Sequence, residues 1–446
     1  MRKISKLSLV AAVAVAGFST ANAQPLEEAI KNVETSGSVV YRYDNFNNDV
    51  DQIADRSTEN NQYKVGLNLS SKVNDYVKFN SRFLVSGADG GFVNLDAHNG
   101  SDANADVLLS HANFAFTGIK NTTITAGKQG LATPWTVAID SDGNEQTGTG
   151  ILALSTVGPV TAGAGYFNQT NLDKSGNITG STLGKDFTNT KVVSSVSALN
   201  GIVAGKAGSF NYNTGAFVPP TAGIRDNSQS LGSRDVYVGA LLADLSPVKL
   251  EAWYLDMADI LDTYTLVASA DFALSSDSKI GVEARYVSLT LDDSIARAAG
   301  IDKDNEMYRL QVTGNVGIVN AKVGYTGTGK DGGLTALDQD AQNATLGWGL
   351  TSNGIADAEH WQGVLGVNIL DNLNLSANYG HLKGRSDVTI NNSDRDYKAE
   401  ELYGQLTYKM SKNLNTYLRY GTLEEKITGD KALDQDRGRL QVEYTF

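Results

Sequence analysis

The chain contains no cysteine. Disulfides, thiolate metal sites and thiol catalysis are therefore excluded. Histidine is scarce, with His98, His111, His360 and His381 the only copies. A serine hydrolase or an outer-membrane phospholipase needs a histidine beside a nucleophile or carboxylate. His111 lies on a candidate strand, and no Ser or Asp near it in sequence suggests a triad, so the chain reads as no enzyme. A basic surplus is also missing. The net charge is −13, or −16 without Arg2, Lys3 and Lys6, whereas nucleic-acid binding asks for a basic face. Finally, long apolar runs are missing. Leu7 to Phe18 is far short of the roughly 20 residues of a spanning helix, and no later segment is longer.

That short run, behind Arg2, Lys3 and Lys6 and ahead of Ala21-Asn22-Ala23, has the form of an export signal. Residues 1–23 are expected to be cleaved, leaving 24–446 as one domain. An exported chain without an apolar helix is either soluble or a barrel, because a barrel hides its hydrophobicity in alternation.

What is present is alternation. In 437–446, Leu440, Val442, Tyr444 and Phe446 share one face, while Arg437, Arg439, Gln441 and Glu443 share the other. Strand side chains have period two, so one face is apolar and the other charged. This reads as the closing strand of an outer-membrane barrel. Tyr444 and Phe446 resemble the signal by which barrel-assembly machinery recognises such chains. Tyr63 to Val85 forms a hairpin around Ser71–Asp75, and the unit recurs at 236–256, 264–289, 306–326, 361–383 and 402–423. Turns on one side are short. Connections on the other are long and rich in Gly, Asp and Asn, as expected of periplasmic turns and external loops. A hairpin of this kind takes roughly 45 residues, giving about nine hairpins and 16–18 strands. Our count is about eighteen, with 168–234 undecided and 192–203 either a strand or part of a loop. A soluble sandwich with one wet face is the competing fold. It requires neither the export signal nor the loop asymmetry.

Parity also sorts the charges. If Phe446 faces lipid, Arg437, Arg439 and Glu443 face the lumen, since a one-residue slip would cost roughly 2–4 kcal/mol per buried arginine. The same rule places Arg42, Lys64, Lys78, Arg82, Glu251, Glu283, Arg285, Arg309, Lys322 and Arg419 inside. Tyrosines near strand ends (Tyr41, Tyr43, Tyr254, Tyr379, Tyr420) suit an interfacial girdle, although β-propensity explains them equally well. Gly324 to Asp331 nearly spells a P-loop, but Asp331 stands where a hydroxyl must hold magnesium and no helix pattern follows.

Two stretches carry a family resemblance. Pro25-Leu26-Glu27-Glu28-Ala29-Ile30-Lys31-Asn32-Val33, with Ser36-Gly37 and Tyr41-Arg42-Tyr43-Asp44, resembles the start of Campylobacter-type major outer membrane proteins. Ala126-Gly127-Lys128-Gln129, Pro134-Trp135-Thr136, Ala138-Ile139-Asp140 and Gly148-Thr149-Gly150 are similar to the same family. The resemblance implies a homotrimer of 18-stranded barrels, each with a third loop folded into its pore. It also implies a cation-leaning diffusion channel with calcium near the constriction, set among outer-membrane lipid and lipopolysaccharide.

The inward loop would then contain Asp140, Asp142 and Glu145, facing a basic wall of Arg42, Lys64, Lys78, Arg82 and Lys128. An acidic loop against a basic wall gives a transverse field that sorts ions. Asp140 and Asp142 are also oxygen ligands of the type calcium takes, although the run is only a fragment of a calcium loop. A solvated turn is the plain alternative. The expected function is passive diffusion of ions and small hydrophilic solutes across the outer membrane, weakly favouring cations and requiring no cofactor. A substrate-specific channel and a surface adhesin or structural barrel are the competitors.

Overall fold

The alternating segments form a closed antiparallel barrel in the computed structural model. It describes residues 32–50, 57–87, 90–95, 97, 105–172, 231–293, 296, 302–330, 332–345, 347–386 and 395–446, with short strands between 205 and 222. The expected export signal and the segment 192–203 lie outside the described residues.

Eighteen strands make the wall. They are β1 (Glu34–Asn48), β2 (Ser57–Lys72), β3 (Val77–Ser86), β4 (Asp106–Ile119), β5 (Thr122–Gly130) and β6 (Thr147–Val157). Next come β7 (Val160–Thr170), β8 (Val236–Leu245), β9 (Val248–Met257), β10 (Leu261–Ser275), β11 (Ser278–Leu291) and β12 (Asp304–Val316). The last six are β13 (Val319–Thr328), β14 (Ala356–Leu370), β15 (Leu373–Ser386), β16 (Arg395–Lys409), β17 (Leu414–Ile427) and β18 (Asp430–Thr445). Neighbours pair in chain order, and β18 returns to pair with β1 over Ser38↔Thr445 to Asn48↔Gln435. A short extra strand, Val93–Asn94, adds to the edge of β2. Between β7 and β8, Ser209–Asn211 pairs with Ala216–Val218, and Gly205–Lys206 with Thr221–Ala222.

Closure follows from the solvent. In hydrocarbon every backbone N–H and C=O must find a partner in the protein, which leaves helices and edgeless sheets as the only spanning structures. The last bonds of the seam come from Phe446, whose N–H donates to Gly37 O at 3.0 Å while Gly37 N–H donates back at 2.9 Å. Gly37 has to be small. A Cβ there would meet Gly66 O at 2.3 Å and the Phe446 ring at 2.7 Å. The Phe446 ring in turn stacks on Tyr444, 6.0 Å away.

The outer face is apolar and exposed, with Leu241, Leu266, Leu310, Val323, Leu365, Leu402 and Leu418 among its members. An apolar band of this extent is not left to water. Aromatics line one rim in a near-continuous row: Tyr264 meets Tyr286, Tyr308 meets Tyr325, and Tyr325 meets Trp361 at 4.8 Å. This row is an interfacial belt.

The two rims are less asymmetric than the sequence suggests. Short turns occupy one rim, but the opposite rim also carries two tight connections, 258–260 and 428–429. Asp259, Thr428 and Gly429 take left-handed φ values there.

Parity makes a direct prediction. Leu440→Arg, near the middle of β18 on the lipid face, should cost roughly 2–4 kcal/mol, whereas Gln441→Glu, which points into the lumen and keeps an acceptor for Arg42, should cost far less. Urea-dependent refolding into lipid vesicles, read by heat-dependent gel mobility, checks this. Equal losses would show that the faces are assigned wrongly.

Candidate pore constriction

The third connection on the long-loop rim, residues 131–146, folds inward rather than out. Its tip is built by Asp140. The Oδ1 of Asp140 accepts the N–H groups of Asp142 (2.9 Å) and Asn144 (2.7 Å), and its Oδ2 accepts the Asn144 amide at 2.9 Å. Gly143 completes the turn at φ +80°, which glycine adopts without strain.

The loop is clamped to the wall by charge. Glu145, 3% exposed, accepts from Lys64 Nζ at 2.7 Å, from Arg82 at 2.8 Å and from the Ser110 hydroxyl. Burial pushes its carboxyl up, but the hydrogen bonds from Arg82 and the Lys64 charge outweigh this and hold it below the ordinary value. Lys64 also donates to Gly143 O. Arg42 donates to Ser141 O, lies 3.5 Å from Asp142 and sits over the Phe92 ring. The expected field across a gap is therefore largely a contact. Glu145 faces the wall and is neutralised there, leaving Asp140 and Asp142 at the tip.

Two expected wall residues lie elsewhere. Lys78 is at the short-turn end of β3, 3.7 Å from Glu34, at the far rim from the loop. Lys128 pairs in register with Ala112, two positions from the Phe114↔Ala126 pair and on the same face. Phe114 packs on Phe79 and is exposed outward, while Lys128 Nζ turns to the Leu109 carbonyl at 2.8 Å. The Gly-Lys-Gln motif by itself does not fix this face; counting from the Phe114↔Ala126 pair does.

The remaining expected residues form three groups. Glu283 bridges Arg285 (3.2 Å) and Arg309 (2.8 Å), and Glu251 accepts from the Trp253 indole. Lys322 on β13 and Glu443 on β18 occupy half-buried wall positions. Arg419, Arg437 and Arg439 converge with Arg42 on β17, β18 and β1: Arg439 binds Asp44 through two hydrogen bonds, and Arg437 binds Glu401 at 3.2 Å.

A second inward loop, 329–355, was not anticipated. Arg285 holds it through Asn343 (3.0 Å) and Gln342 (3.2 Å). Glu401 accepts the backbone N–H groups of Trp348 and Gly349, each at 2.7 Å. Trp348 thereby lies among Arg437, Arg419 and Arg439, whose guanidinium carbons are 4.4, 5.1 and 5.8 Å from its ring. Gly347 and Gly349 flank it because a Cβ at either would strike Glu401 or Arg437.

The two loops meet. Leu337 N–H donates to Trp135 O and Asn343 N–H to Pro134 O. Trp135, Leu131, Leu334 and Leu337 pack with Phe167, Leu255, Met257, Leu289 and Leu291 of the wall into an apolar plug. Beside it, Asp340 accepts from the Ser141 backbone and hydroxyl. This brings Asp140, Asp142, Asp338 and Asp340 into one acidic seam. Burial, followed by the charge on Asp142, lifts Asp140 to about 7. Burial and the Asp140 charge lift Asp338 to about 8, and burial raises Asp340 as well. The sequence held a usable signal, because Asp338-Gln339-Asp340 repeats the spacing of Asp140-Ser141-Asp142.

The Asp140 oxygens already serve their own turn, and no group of three or more His, Asp or Glu side chains among the described residues is arranged to hold a metal ion.

Glu145→Gln leaves Lys64 and Arg82 buried without a counter-charge, a loss of roughly 3–5 kcal/mol for a broken buried pair. The expected result is a lower urea midpoint and a noisier, larger single-channel conductance as the loop loosens. An unchanged midpoint would show that the clamp does not hold the loop.

Comparison with solved structures agrees on the architecture. Pseudomonas aeruginosa OccK2 (OpdF), in complex with glucuronate, superposes with a TM-score of 0.65 at 15% identity, covering 93% of this chain and 98% of that one. Acinetobacter baumannii OccAB3 gives 0.64 at 14%, with 93% and 99% covered. P. aeruginosa OpdK with vanillate gives 0.63 at 14%, with 93% and 98% covered. A search of curated proteins finds no match. The model of the Campylobacter major outer membrane protein matches residues 1–446, the whole chain. With that match and a closed 18-stranded barrel, this chain belongs to the Campylobacter major outer membrane protein family and is an outer-membrane porin channel.

Proposed function

We propose that the channel conducts ions and small hydrophilic solutes passively, with its narrowest point at the seam between the two inward loops and the arginine wall. It favours cations weakly. The observation that carries this is the convergence of Asp140, Asp142 and Asp340 on one side of the lumen, with Asp142 3.5 Å from Arg42 and 4.0 Å from Arg439. Fixed carboxylates at a constriction raise the local cation concentration. No reaction and no cofactor enter this reading, and a calcium ion would compete with the turn for the Asp140 oxygens. The family resemblance extends the reading to a homotrimer embedded in lipid and lipopolysaccharide. That form would be exported by residues 1–23 and delivered to the barrel-assembly machinery through Tyr444 and Phe446.

A substrate-specific channel is the second reading. It is favoured by Arg419, Arg437, Arg439 and Arg42 lying on three adjacent strands, and by the glucuronate and vanillate held by two structural neighbours.

Planar-bilayer recording under a KCl gradient tests the first reading. Purified protein should give large ohmic steps with a reversal potential on the cation side, and the absence of channels would sink the proposal. Asp140→Asn/Asp142→Asn/Asp340→Asn should move the reversal potential toward anions. No movement would remove the seam as the selectivity element.

The seam should also respond to pH. A carboxyl is neutral below its pKa and charged above it, so Asp140 near 7 and Asp338 near 8 lose protons as pH rises from 6 to 9. Cation preference should increase over that window, whereas seam stability should fall from about pH 4, where the same carboxyls ionise in the unfolded chain, up to about pH 8 and then level off. Asp338→Asn should flatten the upper half of the profile. A flat profile in the unmodified protein would contradict the assignment.

A further inference from the structure

Among the described residues, lumenal arginines are matched to acids with one exception. Arg42, Arg82, Arg285, Arg309, Arg437 and Arg439 each lie against a carboxylate. Arg419 has none among the described residues. Its Nε donates to Gln405 at 2.8 Å, and its two terminal amino groups donate to no described residue. The site around it is nonetheless built. The Arg419 guanidinium carbon sits 5.1 Å from the Trp348 ring, 4.9 Å from Tyr403 and 5.3 Å from Tyr417. Three rings thus surround the guanidinium.

The second observation concerns Trp348. Its indole N–H is buried and has no acceptor among the described residues. The half-buried Arg419 thus lacks an anionic acceptor, beside a ring whose own buried N–H has none either. Aromatic walls strip water from the guanidinium without neutralising it. A half-desolvated cation of this kind gains most from an anion that arrives already shaped for it. The planar fork fits a carboxylate, which accepts two parallel N–H bonds.

We propose that Arg419, framed by Trp348, Tyr403 and Tyr417, is a transit site for the carboxylate of a permeating organic acid. The inference rests on the channel reading above and gives it a solute class. The site lies on the wall, register-paired with Arg439. It would let a weakly cation-favouring pore pass small organic anions by catching them briefly on the arginine wall that faces the acidic seam.

Benzoate is the probe, with benzyl alcohol as its uncharged counterpart. In single-channel recordings at fixed ionic strength, millimolar benzoate should interrupt the KCl current of the unmodified protein, and benzyl alcohol should not. Arg419→Gln should raise the half-blocking benzoate concentration by roughly tenfold or more, as loss of a bidentate charged pair implies. Arg419→Lys, which keeps the charge but not the fork, should raise it less. Heat-dependent gel mobility verifies that both variants are folded. Clear KCl channels without benzoate interruption would overturn this proposal alone. Equal block by benzyl alcohol, or unchanged block in Arg419→Gln, would do the same. Absence of KCl channels would instead overturn the channel reading on which it rests.

Discussion

Hydrocarbon offers no hydrogen bonds, and the rest of this molecule follows from that constraint. A sheet in lipid must have no edge, so eighteen strands close, and each must turn one side to lipid and the other to water. The pairing of β18 with β1 closes the ladder. Once it is closed, the inner face has to accommodate charge on a curved wall. It does so by pairing: Glu145 with Lys64 and Arg82, Asp44 with Arg439, Glu401 with Arg437, and Glu283 with Arg285 and Arg309. Unpaired charges at such positions would carry several kcal/mol of desolvation each.

Several of these pairs have a second role. Glu145 belongs to the third external loop and its cations to β2 and β3. Glu401 belongs to β16, yet receives both Arg437 and the backbone beside Trp348. Ion pairs therefore orient the inward loops as well as balance the wall. The apolar plug around Trp135 and Leu337 does the complementary work, filling part of the lumen so that the loops have a floor to pack on. The channel cross-section divides into a dry, packed side and a wet, charged one.

Most of the wall was legible in the sequence, because period-two alternation is enforced at every residue of a spanning strand. Leu440, Val442 and Tyr444 could be placed against Arg437 and Arg439 from their spacing alone. Lys128 belongs to a motif and not to a counted strand, and counting from Phe114↔Ala126 gives it the outer face. Lys78 has lumenal parity but the wrong height, since alternation says nothing about depth. The inward course of 329–355 was hidden for a different reason. Loops carry no periodicity, and Asp338, Asp340 and Trp348 acquire their positions from Arg285 and Glu401, which are distant in the chain. Which carboxylate is neutralised and which is left at the tip is likewise a tertiary fact.

The meeting of Ser141 with Asp340 joins segments about two hundred positions apart, neither of which touches lipid. The aperture is thus an insert held by a finished frame. Substitutions that widen, narrow or recharge it need not threaten insertion into the membrane, and those that protect insertion need not alter what passes. A cell facing a new mixture of nutrients or toxins can retune permeability in two short stretches of sequence while the cylinder around them stays as it was.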